Sequence, residues 1–438
     1  MSDPSASTRF GASTGSRKLP WYFGWNIVAV ATLLVLLTVG LRLGVGPFFF
    51  PISRDLGFSR SMLSSIVAIA MLSYGLVMPL AGWLVGRIGT RATLLAGIAL
   101  IVVGTIWTVN AETPVVFTLA FGIILSVGLG LVSPVTLTPI ITRWFTQHRG
   151  MALFFLSTGG MAGLAVATPL FSWAIERFSW QQTMLGYVVI LALVAVPGTL
   201  LLMRDTAPVQ ADTTPGTGNK PDKRSHKISS LSTRRALLTA PFWKITLGLM
   251  ANGFSMTLLG VHGIPMLIDH GFDSTTSALG IGAIGFVAIA GTVLLGRIAD
   301  AVSRRYMLAL IYFVRGTAFI GLLLVITSWQ LYAIAAVGGL VWAGAMAIAS
   351  AILADIYGVQ RLGVLYGIAF ALQQAAGMVS AWLGGWGYET FQTHWIAFGA
   401  AALILLIGGL ATLSLPKSDF SYTTSAAGSR INGAMNCK

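Results

Sequence analysis

Charge is scarce in this sequence. Of 438 residues only 9% are Asp, Glu, Lys or Arg, while 55% are hydrophobic; a soluble chain carries about a quarter charged residues. The deficit excludes water as the main solvent of the fold and leaves lipid. Cysteine is almost missing as well, since Cys437 stands alone in the polar C-terminal tail, so a disulfide framework is excluded. The histidines His148, His226, His262, His270 and His394 are scattered without the H-x-x-x-H spacing of a zinc site, and no metal or other cofactor is expected. Nor is there a set of nucleophile, base and orienting group, so the chain does not read as an enzyme. Acidic residues are the scarcest charge: thirteen against twenty-seven Lys and Arg, a net charge of +14.

What is present is a series of long apolar runs. Ile27 to Leu41, Met184 to Met203 and Phe398 to Leu413 each approach the length of about 20 residues that a spanning helix needs. Twelve spans can be placed, at 25–50, 61–85, 92–110, 115–141, 151–175, 183–203, 241–268, 276–298, 306–327, 330–353, 362–386 and 394–415. The expected fold is an all-α membrane protein with twelve transmembrane helices in two pseudo-symmetric six-helix bundles. The first apolar run is too long for a signal peptide and lacks a small-residue cleavage site, so it is read as a retained helix. The expected division is a polar tail (1–20), a first bundle (21–203), a Pro/Gly/Thr/Lys linker (204–240), a second bundle (241–416) and a second tail (417–438).

The basic residues set the orientation. Twenty-two Lys and Arg fall in the tails and the loops on the terminal side, against three, Arg54, Arg60 and Arg177, on the other side. Such a split predicts cytoplasmic termini, in a multi-pass protein of a plasma or inner membrane. Because the cations lie in short loops between apolar runs, they form no patch for nucleic acid.

The loops also repeat. Gly82-Trp-Leu-Val-Gly86-Arg87-Ile-Gly89-Thr-Arg91 follows span 2, and Gly296-Arg-Ile-Ala-Asp300-Ala-Val-Ser-Arg304-Arg305 follows span 8, a separation of 214 residues, about half the chain. The scheme resembles the loop motif G-x-x-x-D-R-x-G-R-R of the major facilitator superfamily. That resemblance implies a conformational latch made by Arg87, Arg91, Asp300, Arg304 and Arg305, weakened in the first copy, where Gly86 stands in place of the acid.

Further motifs narrow the likeness. Tyr22-Phe-Gly24-Trp25 opens span 1, Arg143-Trp144-Phe145 and Arg149-Gly150-Met-Ala152 join spans 4 and 5, and span 5 holds Gly159-Gly160-x-x-Gly163 and Pro169. Span 7 ends Gly260-Val-His262-Gly-Ile-Pro265-Met-Leu-Ile-Asp269-His-Gly271. Together they resemble the monocarboxylate transporter and oxalate/formate antiporter families. The implied function is secondary active transport of a small organic anion by alternating access, with a proton or a counter-anion as coupling ion. The alternatives are a multidrug or other efflux pump of the same superfamily and a non-transporting membrane sensor. The G-x-x-x-G-P-x-x-G-G arrangement that accompanies drug export is not reproduced in span 5. The glycine pairs lie within apolar spans with no preceding strand, so they read as helix packing sites, not nucleotide loops.

None of the thirteen acids lies mid-span, but two arginines do: Arg42 in span 1 and Arg315 in span 9. An intramembrane arginine costs about 3 kcal/mol on insertion scales and usually faces a cavity or a partner. With no acid at matching depth, an anionic substrate is a candidate partner. Gly40, Gly44, Gly46 and Pro47 around Arg42 predict an irregular, cavity-lining segment. The resemblance adds that animal monocarboxylate transporters carry a helix 1 lysine about as far beyond the Gly-Trp opening, followed by a Phe-Phe pair like Phe48-Phe49. Arg42 is thus the leading candidate for carboxylate recognition, since guanidinium offers a bidentate fork. Arg315 reads equally as scaffold, because ninth helices are peripheral in this superfamily. Span 8 departs from the family, carrying no charge before Arg297 where relatives commonly hold an Asp/Arg pair. His262 is the remaining proton-coupling candidate, as imidazole titrates near neutrality. Tyr74, Asn252, Ser255, Gln373 and Gln374 complete the substrate-binding candidates, each equally readable as an interhelical hydrogen-bond partner.

Overall fold

The computed structural model describes residues 22–145, 148–205, 233–299 and 302–415. Both expected tails, most of the expected linker, and Asp300 lie outside the described residues. Among the described residues, eleven helices are long and apolar enough to cross a membrane. They are α1 (Gly24–Leu56), a run Arg60–Val109, α4 (Pro114–Trp144), α5 (Arg149–Arg177), α6 (Trp180–Leu202), α7 (Ala240–Asp269), α8 (Ser274–Ala299), α9 (Arg304–Leu324), α10 (Ser328–Tyr357), α11 (Val359–Phe391) and α12 (Trp395–Leu413). The 50-residue run is two spans, α2 (60–88) and α3 (90–109), meeting at a kink where Gly89 has φ 84° and ψ 165°. Counting it twice gives the twelve-helix fold. The loop expected between 85 and 92 shrinks to that one glycine, because its φ is open to a residue without a Cβ and turns the chain in a single step.

Local chemistry sets the helix ends. The Ser59 hydroxyl accepts from the Met62 N–H and that of Ser179 from the Gln182 N–H, while Thr327 and Gln330 form a reciprocal capping box before α10. Gly57 closes α1 in the left-handed region at φ 64°. Several helices are interrupted: α1 at Gly44, followed by a 3-10 turn over Gly46–Phe48; α4 by a π-helical stretch Thr118–Leu125 and a break at Val132 and Ser133; α10 at Val341–Ala343.

Large apolar side chains face outward all around the bundle, Leu76, Leu193, Phe286 and Trp329 among them, while Asn252, Gln373, Gln374 and Arg315 are buried. Apolar outside with polar groups inside is the arrangement of a protein dissolved in lipid. The chain is a multi-pass integral membrane protein.

One apolar core lies mainly in each half. Glycines bring helices together within and between the halves: a Cβ at Gly163 of α5 would strike the Leu36 carbonyl of α1, and one at Gly285 of α8 would lie 2.7 Å from the Met161 carbonyl of α5. The halves meet where α5 packs on α8, α2 on α11 and α1 on α7. The first and last described residues, Tyr22 and Leu415, lie at the same end of the bundle as the turns at Trp144, Arg204 and Arg305, here termed the terminal face; the other is the distal face.

Candidate functional site

The break in α1 places Arg42 on the last turn before Gly44, and the guanidinium reaches across to α2. Its carbon lies 4.5 Å from the centre of the Tyr74 ring, and Nη1 approaches the Met71 sulfur at 3.8 Å. The buried Nε has no hydrogen-bond partner, and among the described residues no carboxylate pairs with Arg42. Around it is a small cavity of about 20 Å³ lined by α1, α2 and α4, including Val67, Tyr74, Phe121 and Ser126. That volume holds one water. The wall from α4 contains part of the π-helical stretch, an irregularity that recurs at functional sites.

The other candidates fall in separate places. Arg315 is fully buried in the C-terminal half, with its guanidinium carbon 3.7 Å above the Trp342 ring at the α10 break. Nη1 donates to the Asn252 side-chain oxygen, while Nε and Nη2 are without partners. Asn252 therefore serves Arg315, not Arg42. Gln373 and Gln374 sit on α11 at the junction of the halves, Gln373 against Gly253 of α7 and Gln374 against Gly75 of α2, next to Tyr74. Both carry an unpartnered amide atom, Oε1 of Gln373 and Nε2 of Gln374. Ser255 donates to the Asn252 carbonyl within its own helix. His262 lies in the packing of α7 on α11, its Nε2 2.8 Å from the Ala381 carbonyl, its ring edge-on to Phe49 at 5.3 Å.

The arrangement, two helical bundles packed across facing helices, coincides with a known family. The sequence profile described as Major Facilitator Superfamily matches residues 28–325 and 245–430. The chain belongs to the major facilitator superfamily. Among relatives in this superfamily, an uncharacterised MFS-type transporter of Bacillus subtilis, YcxA, is 25% identical over 84% of the chain and 88% of its own length. Monocarboxylate transporter 13 of Rattus norvegicus is 24% identical over 92% of each chain. The oxalate:formate antiporter of Oxalobacter formigenes is 21% identical over 90% of this chain and 94% of its own. A solved superfamily structure, a D-xylose-proton symporter, superposes with a TM-score of 0.64 at 17% identity, covering 91% of this chain and 99% of that one. The likeness to the symporter establishes the shared fold. Family and fold are those of a transporter.

At the superfamily loop motifs the acids differ from the sequence pattern. Arg87 stacks on Trp83 at 4.9 Å and Arg91 is exposed. The acid at this loop is Asp205, beyond α6, whose carboxylate accepts from the Thr90 N–H at 3.1 Å and caps α3. In the second copy Arg304 pairs with Asp355 of α10, and Arg305 donates to the Leu415 carbonyl at 3.1 Å. Sequence reasoning missed Asp205 and Asp355 because neither lies in the motif.

It also missed a cluster on the distal face. Arg60 of α2 donates two hydrogen bonds to Asp269 of α7, at 2.6 and 3.0 Å. His394, just before α12, lies 3.0 Å from the same carboxylate through Nε2. The Ser61 N–H donates to Glu389 of α11 at 2.7 Å, and the hydroxyls of Ser172 (α5) and Ser274 (α8) are 2.6 Å apart. All but the His394 contact join the two halves. Partners separated by 209, 328 and 102 residues leave no local signal in sequence. Beside them a cleft of about 1000 Å³ opens on the distal face, lined by Phe50, Arg54, Asp55, Glu176, Trp180 and Asp273 among others.

Proposed function

We propose that this transporter carries small organic anions, monocarboxylates first among them, by alternating access between its two halves, with proton coupling. Arg42 carries the reading. Cation–π stacking on Tyr74 contributes about 1–2 kcal/mol, short of the roughly 3 kcal/mol that insertion of an arginine costs. A carboxylate accepting two N–H groups would supply the remainder with charge-assisted bonds. Tyr74 then orients the guanidinium, and Gln373 and Gln374, with spare amide atoms at the junction of the halves, are the polar contacts assigned to the rest of the substrate. Asn252 and Arg315 form a second buried cationic site in the other half. Likeness to a monocarboxylate transporter and to an oxalate:formate antiporter over nine-tenths of the chain supports the substrate class.

The split of basic residues between loops supports a cytoplasmic terminal face. With that face inside, the halves are clasped on the outer side by Arg60 with Asp269 and by Ser172 with Ser274, beside the distal cleft, and the small cavity at Arg42 has room for substrate only after the halves move. The test is flux into liposomes of labelled lactate, pyruvate, oxalate and aromatic acids, with a cationic dye as contrast, with and without a pH gradient. Anion flux is expected, reduced at least tenfold in Arg42→Ala and partly kept in Arg42→Lys. Wild-type flux in Arg42→Ala, or transport of the dye alone, overturns the reading.

A further inference from the structure

The distal cluster holds a titratable group that the substrate reading does not use. Asp269 receives Arg60 from the N-terminal half and His394 from its own half. Tyr388 of α11 lies under both, 4.1 Å from the Arg60 guanidinium and 4.4 Å from the His394 ring. Because a carboxylate only accepts, the His394 Nε2 facing it carries the hydrogen, and Nδ1 is left to take up a proton.

We propose that His394, working through Asp269, is the proton-coupling site of this transporter: a proton from the distal aqueous phase, taken on Nδ1, loosens the Arg60 clasp and opens that face. This deepens the reading of proton-coupled anion transport and rests on it. With His394 neutral, Arg60 is the full counter-charge of Asp269 and holds the halves together. With His394 an imidazolium, Asp269 has a counter-charge within its own half, and Arg60 faces a second cation. Departure of Arg60 removes that repulsion, so the open form binds the proton more tightly. By linkage the proton favours the open form to the same degree.

The groups facing His394 are few. Asp269 and His270 approach from the end of α7 and the turn after it, Tyr388 from α11, and Arg60 from α2. Glu389 is bonded to the Ser61 N–H. His270, 6.0 Å away, is pushed below the usual imidazole value by burial and by the neighbouring His394, against the opposing charge of Asp269. His262 is wedged between Phe49 and Gly384 with Nε2 on the Ala381 carbonyl; its polar bond joins α7 to α11 within one half, and its contact with the other half, to Phe49 of α1, is between rings and carries no ion pair.

The test uses distances, not flux. In a Cys437→Ser background, spin labels at Glu112→Cys and Ile326→Cys mark exposed distal turns of the two halves. Double electron–electron resonance in lipid nanodiscs at pH 5.5 and pH 8 reads their separation. The wild-type pair is expected to shift to longer distances at pH 5.5, with the open:closed ratio rising at least tenfold. His394→Gln should stay closed at both values, while His394→Arg and Asp269→Asn should be open at both. A merely structural histidine would move both His394 variants in one direction. A wild-type separation that ignores pH, a pH response that survives in His394→Gln, or one that disappears in His262→Gln overturns the proposal. Since no substrate is needed, anion flux without pH-driven opening removes this inference alone, and opening without anion flux removes the substrate reading alone.

Discussion

Arg42 and Arg315 show what a residue inside a membrane protein needs. Each lies over an aromatic ring, Tyr74 or Trp342, and each sits beside a broken helix. They differ in the remaining valences. Arg42 is partly accessible beside a cavity, whereas Arg315 is sealed, with one bond to Asn252. Taking away the acceptor while leaving the buried charge should therefore cost more than taking away the charge. Asn252→Leu is expected to destabilise the protein by about 2–3 kcal/mol, the worth of a hydrogen bond to a charged group left unmade, and Arg315→Met by less, since an apolar chain of similar length fills the same space. Thermal unfolding in detergent measures both; Arg315→Met as the more damaging change would show that the stacked cation itself holds α9 to α10. Both arginines were legible in the sequence because no acid shares their depth. Their partners were legible only in part. Tyr74 and Asn252 were recognisable as polar groups in apolar helices, but helical periodicity gives the face a residue lies on, not the helix that face meets. The structure accordingly sends Asn252 to Arg315 and Tyr74 to Arg42.

At the scale of elements, hydropathy located every span, but the expected ends at 50, 353 and 386 stop short of the helices, which run on to Leu56, Tyr357 and Phe391, and one glycine does the work of an expected loop. Between α2 and α3 the basic residues Arg87 and Arg91 read as a loop, yet the backbone is helical on both sides of Gly89. That φ strains any residue with a Cβ, and the added carbon would also lie 2.8 Å from the Asp205 carboxylate. Gly89→Ala should destabilise by about 1–3 kcal/mol and pull Asp205 off the Thr90 N–H. At Gly86, three residues earlier, an added methyl would meet nothing within 4 Å, and φ is that of an ordinary helix. Gly86→Ala should therefore be neutral or stabilise by up to about 1 kcal/mol. Melting temperatures of the two variants in one detergent check the contrast, and equal losses would mean that the motif glycines act through something other than the turn. The acids Asp205 and Asp355 escaped sequence reading for a related reason: a motif fixes the residues of one loop, while the carboxylate that meets them arrives from another helix.

For the whole molecule, the two-bundle plan was readable from apolar runs and a 214-residue repeat, but which face is shut was not, because that is a property of contacts between the halves. The distal contacts divide into a charged clasp at α2, α7 and α12 and an uncharged one at α5 and α8, where the hydroxyls of Ser172 and Ser274 stand 2.6 Å apart. If the halves rock as rigid bodies, both contacts must part in each cycle, whichever anion is carried. Replacing Ser172 and Ser274 by cysteine in the Cys437→Ser background puts two sulfurs close to bonding distance, since a disulfide needs about 2.05 Å between sulfurs and Cβ atoms about 3.8 Å apart. Oxidation should cut anion flux at least tenfold and reduction should restore it, with mass spectrometry confirming the bond. The charged clasp cannot compensate, because loosening it by acid leaves the covalent link intact; the oxidised protein should stay inactive at pH 5.5. Full flux through a fully crosslinked protein would mean that substrate passes without separation of α5 from α8, and that a local gate at the α1 break beside Arg42 carries the cycle instead.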